Sequence, residues 1–206
     1  MKKVLIAGVL AAALAFAVSA SAALVPGVYD PGNTGCVKAT FIKKTKTLHL
    51  EKNCPTATNA SAGAEVTGVS GQTFQSASFT LASASQCQGG SPRFDVVAGG
   101  TTYFLGCNNV TPTINSDGSA TYTFTPQSLT AAAMPVPTGS ISAVDVLVDV
   151  QGTADLTRIT FNGMLEKPVQ PMVQCKHGGW KDGHWKNQGQ CVSHFAKAKH
   201  SKTHHR

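Results

Sequence analysis

The chain has 206 residues, of which 42% are hydrophobic, 7% aromatic and 13% charged, with a formal net charge of +7. So little charge, with so many small and apolar side chains, excludes a disordered body and favours strands with a modestly polar outer face. The charge is also uneven: residues 23–174 hold eight Lys/Arg against nine Asp/Glu, whereas Cys175 to Arg206 hold seven against Asp182 alone, with six of the seven His. Only that tail calls for an acidic partner.

Lys2 and Lys3 precede an apolar run of fifteen residues, Val4 to Val18, and Ala20-Ser21-Ala22 offers the small residues that a signal peptidase needs. The run is short for a bilayer span, so residues 1–22 read as a secretory signal peptide and the protein as secreted and extracellular. Removing them leaves 184 residues, enough for one solid core and short for two. No second apolar stretch reaches membrane length, so no membrane span is expected.

The six Cys, at 36, 54, 87, 107, 175 and 191, read in an exported chain as disulfides rather than metal ligands or catalytic thiols. Successive pairing is the expectation, because Cys36–Cys54, Cys87–Cys107 and Cys175–Cys191 each close a hairpin-sized loop. A cross-link of that span stabilises by roughly 3 kcal/mol in the chain-entropy model.

A turn-rich start, Val25-Pro26-Gly27 to Asn33-Thr34-Gly35, leads to a strand pair, Cys36–Lys43 and Thr47–Lys52, joined by Lys44-Thr45-Lys46. Residues 55–63 read as a loop. Gln72–Ala82 alternates, and Arg93–Ala98 with Thr101–Cys107 around Gly99-Gly100 forms the clearest hairpin. Thr121–Thr125 follows the Asp117-Gly118 turn. Ile141–Val150 carries Val144, Val146, Val148 and Val150 on one face, with Asp145 and Asp149 on the other, and Leu156–Leu165 is the last strand. With no helical period after the signal, the expectation is one all-β domain over residues 23–167, an antiparallel jelly-roll-like sandwich. A Pro-containing linker, 168–174, and a disulfide-closed basic tail, 175–206, follow.

An enzyme needs converging titratable groups, and the body offers few. His49, its lone His, reads as an exposed strand residue, and no HExxH, GxSxG or Walker-type loop occurs. Asp145 and Asp149, four apart in a strand, would lie roughly 13 Å apart on one face, too far for a glycosidase pair. They read as solubilising the outer face. Asp155 offers a weak calcium ligand beside turn carbonyls. No metal, cofactor or catalytic residue is therefore assigned. Sugar binding without catalysis is the alternative, with Tyr103, Tyr122, Asn108 and Asn109 available, although both Tyr read first as core or half-buried strand residues.

The tail reads Cys175-Lys176-His177-Gly178-Gly179-Trp180, then Trp185-Lys186-Asn187-Gln188-Gly189-Gln190-Cys191-Val192-Ser193. It resembles a motif, CKxGGW…FKNQGQCVS, at the ends of secreted bacterial proteins, commonly actinobacterial. Here Trp185 stands in place of the usual Phe. The resemblance implies secretion and carries no defined activity. Gly90-Ser91-Pro92-Arg93-Phe94 and Tyr103-Phe104-Leu105-Gly106-Cys107 look like segments of the same proteins. Val144 to Gly163 is similar to the final strand pair of jelly-roll carbohydrate-binding modules.

Trp180 and Trp185 are either a miniature core or a stacking face. Lys176, Lys181 and Lys186 are candidate anion contacts, with envelope polymers preferred to nucleic acid as the polyanion. Residues after Cys191 read as a solvated tail. The leading expectation is a non-catalytic extracellular protein that binds a polysaccharide or anionic envelope polymer. A structural, self-associating surface protein comes next, and an extracellular hydrolase third.

Overall fold

The computed structural model describes residues 23–165, 167–168, 175, 186–190 and 192–193. Residues 1–22, Lys176, Lys181, Trp180, Trp185, Cys191 and most of residues 168–174 lie outside the described residues. The strands in chain order are β1 (Ala23–Tyr29), β2 (Val37–Ile42), β3 (Thr47–Lys52), β4 (Ser61–Thr67), β5 (Ala77–Leu81), β6 (Arg93–Ala98) and β7 (Thr101–Gly106). After them come β8 (Thr113–Ile114), β9 (Ala120–Phe124), β10 (Ile141–Val148), β11 (Gly152–Phe161), β12 (Met164–Leu165) and β13 (Lys167–Pro168).

They form an antiparallel sandwich of two sheets. The first runs β13-β1-β4-β10-β6-β7, and the second β2-β3-β11-β5-β9-β8 with β12 on β11. Among the described residues only β13 pairs in parallel, on β1. The last long pair enters the middle of both sheets, β10 between β4 and β6 and β11 between β3 and β5, which gives the sandwich its jelly-roll-like character.

Period-two alternation builds the core. Val144, Val146 and Val148 are buried under the first sheet, opposite Leu48, Leu50, Leu156 and Phe161 of the second. Phe94 brings the sheets together, its ring 5.6 Å from Phe79 and 6.1 Å from both Phe124 and Phe161. Tilted and edge-on pairs like these add about 0.5–1.5 kcal/mol each beyond their buried area.

Two strands differ from the expectation. The start of the body is not a run of turns: β1 pairs with β4 over seven residues, Ala23↔Thr67 to Tyr29↔Ser61. Pro26 falls in the part of β1 that, among the described residues, pairs with β4 alone, where a missing N–H is tolerated. The expected loop over 55–63 ends early, since β4 starts at Ser61. Close approach demands the small residues of β4: a Cβ on Gly63 would lie 2.8 Å from Leu147 Cβ and from the Val146 carbonyl oxygen. A short helix, α1 (Pro126–Ala131), also departs from the all-strand expectation. It starts on a reciprocal cap, in which Thr125 Oγ1 accepts from Ser128 N at 3.1 Å and Ser128 Oγ from Thr125 N at 2.8 Å.

Disulfides join Cys36 to Cys54 and Cys87 to Cys107, as successive pairing requires. Cys175 is buried and disulfide-bonded, while its expected partner Cys191 lies outside the described residues. Among the described residues no helix is long and apolar enough to cross a membrane.

Candidate functional site

One end of the first sheet is pinned into a cleft of about 380 Å³. The Cys87–Cys107 bridge ties the segment entering β6 to the end of β7. Gln88 and Ser91 exchange backbone hydrogen bonds at 2.9 Å each way, and Gly89 and Gly90 turn between them at φ +58° and +84°. Two successive residues in that conformation call for glycine. A Cβ on Gly106 would sit 2.5 Å from the Gly90 carbonyl oxygen, so the two loops touch backbone to backbone. The Ser91–Pro92 peptide is cis.

Arg93 and Phe104 form the walls. Arg93 Nε donates to Asp95 Oδ1 at 2.6 Å, Nη2 reaches Asp95 Oδ2 at 3.4 Å, and Nη1 donates to Asp149 Oδ2. The guanidinium carbon lies 5.2 Å from the centroid of the Phe104 ring, a cation–π approach. Phe104 stays 53% exposed, an aromatic surface that a soluble ligand can reach. Burial works against the Arg93 charge, and Asp95 and Asp149 overcome it and hold its pKa above the ordinary value. The same burial raises Asp95, which Arg93 offsets only in part. The two carboxylates embrace the guanidinium from two sides.

A row of carboxylates continues from the cleft across the outer face. Phe104 registers with Asp95, Asp95 with Asp145, and Asp145 with Glu65. Burial, then Glu65 and Asp95, push the Asp145 pKa up to about 6. Asp145 and Asp149 thus have separate settings, one among carboxylates and the other on Arg93.

The sequence-derived candidates separate sharply. Tyr122 is corrected: it is 2% exposed, its ring 5.5 Å from Phe79, and burial raises its phenol pKa, so it offers no face to a sugar. Tyr103 turns inward against the core, its hydroxyl 3.2 Å from Thr138 Oγ1. Asn109 is a brace, its Oδ1 accepting from Gly106 N at 2.6 Å and its Nδ2 lying 3.6 Å from Met134 Sδ. Asn108 alone keeps the expected character: it is exposed, lines the cleft and has no hydrogen-bond partner for its amide among the described residues. His49 is half-buried rather than exposed, with Nδ1 2.8 Å from Asp155 Oδ1. Asp155 also takes Gln86 Nε2 at 3.2 Å, which occupies the carboxylate considered for calcium. Of the tail candidates, Lys186 is described and exposed, and its N–H donates to Gln190 Oε1 at 3.1 Å.

Arg93 and Phe104 were missed by sequence reasoning. The Tyr103-Phe104 dipeptide did carry a signal, since period two must send one ring outward. Arg93 gave only a local one, Asp95 two residues on along the same strand face, because its other partner Asp149 lies fifty-six residues away.

Fold and cleft together define an all-β sandwich with one aromatic, amide-lined groove at its disulfide-pinned end. Comparison with protein-family models, curated proteins and solved structures returned no match.

Proposed function

We propose that this is an exported, non-catalytic binding protein whose cleft holds a glycan against Phe104. The exposed ring beside an unpartnered amide carries the reading. Sugar rings present apolar faces that stack on an aromatic side chain and hydroxyls that pair with an amide. The paired disulfides and the signal-like residues 1–22 support export. The basic tail, with Lys176, Lys181 and Lys186, adds salt-sensitive attachment to anionic envelope polymers.

Binding of the full-length protein to a panel of soluble and insoluble polysaccharides tests the proposal. Phe104→Ala and Asn108→Ala should each weaken glycan binding about tenfold, the cost of removing one anchor. Equal binding by wild type and both variants on every polysaccharide rejects the cleft.

A second reading, self-association, draws on the β7 edge. Gly106 N donates outward to Asn109, so by alternation the N–H and C=O groups of Thr102 and Phe104 also point to the open side. The residues of β7 include no charge or proline to protect that edge. Sedimentation showing monomer at all concentrations would reject this reading.

A further inference from the structure

We infer that the cleft selects uncharged sugar units and turns away uronates, an inference that rests on the glycan reading of the same site. The cleft contains an arginine, and an arginine in a glycan site ordinarily signals an acidic sugar, because its fork matches a carboxylate. Here that fork is already occupied. Asp95 takes Nε and Nη2, and Asp149 takes Nη1. One positive charge therefore faces two negative ones, and the trio carries a net negative charge. Two of the five guanidinium N–H groups remain, and they can serve sugar hydroxyl oxygens.

The surroundings add to the bias. Beyond Asp95 the outer row continues through Asp145 and Glu65, so an anionic unit extending from Phe104 along the row would meet only like charge among the described residues. Neighbouring strands lie about 4.8 Å apart, close to the repeat of an extended pyranose chain. A neutral polymer stacked on Phe104 could thus cross β6 and β10 with its hydroxyls on Asp95 and Asp145. Hydroxyls donate well to carboxylates, whereas a uronate carboxylate cannot. The body and the tail then recognise opposite chemistry: the cleft takes neutral glycan, and the +6 tail takes polyanions.

The experiment measures full-length protein against three soluble probes, cello-oligosaccharide, N-acetylated chito-oligosaccharide and oligogalacturonate. Salt is kept low so that the charges at the cleft are not screened, and the tail contributes equally to wild type and variant. The quantity read is the difference between wild type and Phe104→Ala, which isolates the cleft. The expected result is Phe104-dependent binding of at least one neutral probe, with the uronate weaker by about tenfold or more. Asp149→Asn unbalances Arg93 while keeping the backbone contacts of residue 149, so Phe104-dependent uronate binding should rise several-fold, about threefold or more. Asp95→Asn makes the same test should Asp149→Asn fail to fold. Uronate binding within about threefold of the neutral probes overturns the selectivity and leaves the glycan reading standing. No uronate gain in whichever variant folds overturns the charge argument. No Phe104 dependence with any probe overturns both.

Discussion

The ammonium of Lys52 donates to the carbonyl oxygen of Asp149 at 2.7 Å, and the carboxylate of that same Asp149 receives Arg93. The backbone N–H of Asp149 donates to Ser91 Oγ at 3.2 Å. One residue just after β10 thus joins the end of β3, the segment entering β6 and the wall of the cleft. The cleft is rigid at Arg93 because its partner is fixed from behind.

Lys52 is 1% exposed, and its Nζ also donates to the carbonyls of Thr56 at 3.1 Å and Thr58 at 2.7 Å. No carboxylate pairs with it among the described residues. A buried ammonium is tolerable when its three protons are matched, and here three carbonyls match them. Lys52→Met would leave those oxygens without their donor, at a cost of about 1–3 kcal/mol for each one that water cannot reach. The prediction is a loss of about 3 kcal/mol or more in urea unfolding, with faster hydrogen exchange at Gln151, whose N–H donates to Thr56 Oγ1. A loss below about 1 kcal/mol would show that water replaces the ammonium.

Asp145 makes stability depend on pH. Its folded pKa, about 6, lies above the value near 3.9 of an unfolded aspartate. The folded state therefore binds the proton more tightly, and its stabilising contribution is complete below about pH 4 and is lost as pH rises through 6. Asp95, also raised by burial, works in the same direction. Discounted for partial exposure, the effect of Asp145 is about 1–2 kcal/mol. Asp145→Asn should raise the urea midpoint at pH 7 and flatten its decline between pH 4 and 7. A midpoint that falls at pH 7 would mean that the Asp145 charge is stabilised by contacts outweighing Glu65 and Asp95.

Elements defined by alternating bulky residues were legible in the sequence, and those defined by close approach were not. Val144, Val146 and Val148 announce β10 by period alone, and Gly99-Gly100 announces the β6–β7 hairpin. Gly63 of β4 has no side chain because Leu147 and Val146 press against it, a constraint that appears only once β10 is beside it. The site follows the same division. Asn108 and the Cys87–Cys107 bridge were visible as local features, whereas Arg93 became a site residue only when folding brought Asp149 to it. Tyr103 and Tyr122 were legible as core or half-buried strand residues, and the register places both side chains on the core side.

The disulfides separate stability from function. Both bonds close loops of similar length, with sequence separations of 18 and 20 residues. The loop-closure argument therefore assigns each about 3 kcal/mol. Their positions differ: Cys36–Cys54 clamps the ends of the β2–β3 hairpin in the second sheet and lines no part of the cleft, whereas Cys107 directly follows Gly106 at the cleft and Cys87 precedes the Gly89-Gly90 turn. Removing either pair by Cys→Ser substitution should lower the denaturation midpoint to a similar extent. Only Cys87→Ser with Cys107→Ser should also weaken Phe104-dependent glycan binding, because without the bridge the Gly90 and Gly106 backbones can part and Asn108 is no longer held over them. The comparison is made at a temperature where both double variants are folded. Equal weakening in the two would tie the cleft to global stability alone, whereas loss confined to the 87–107 pair would show that the bridge holds the binding geometry itself.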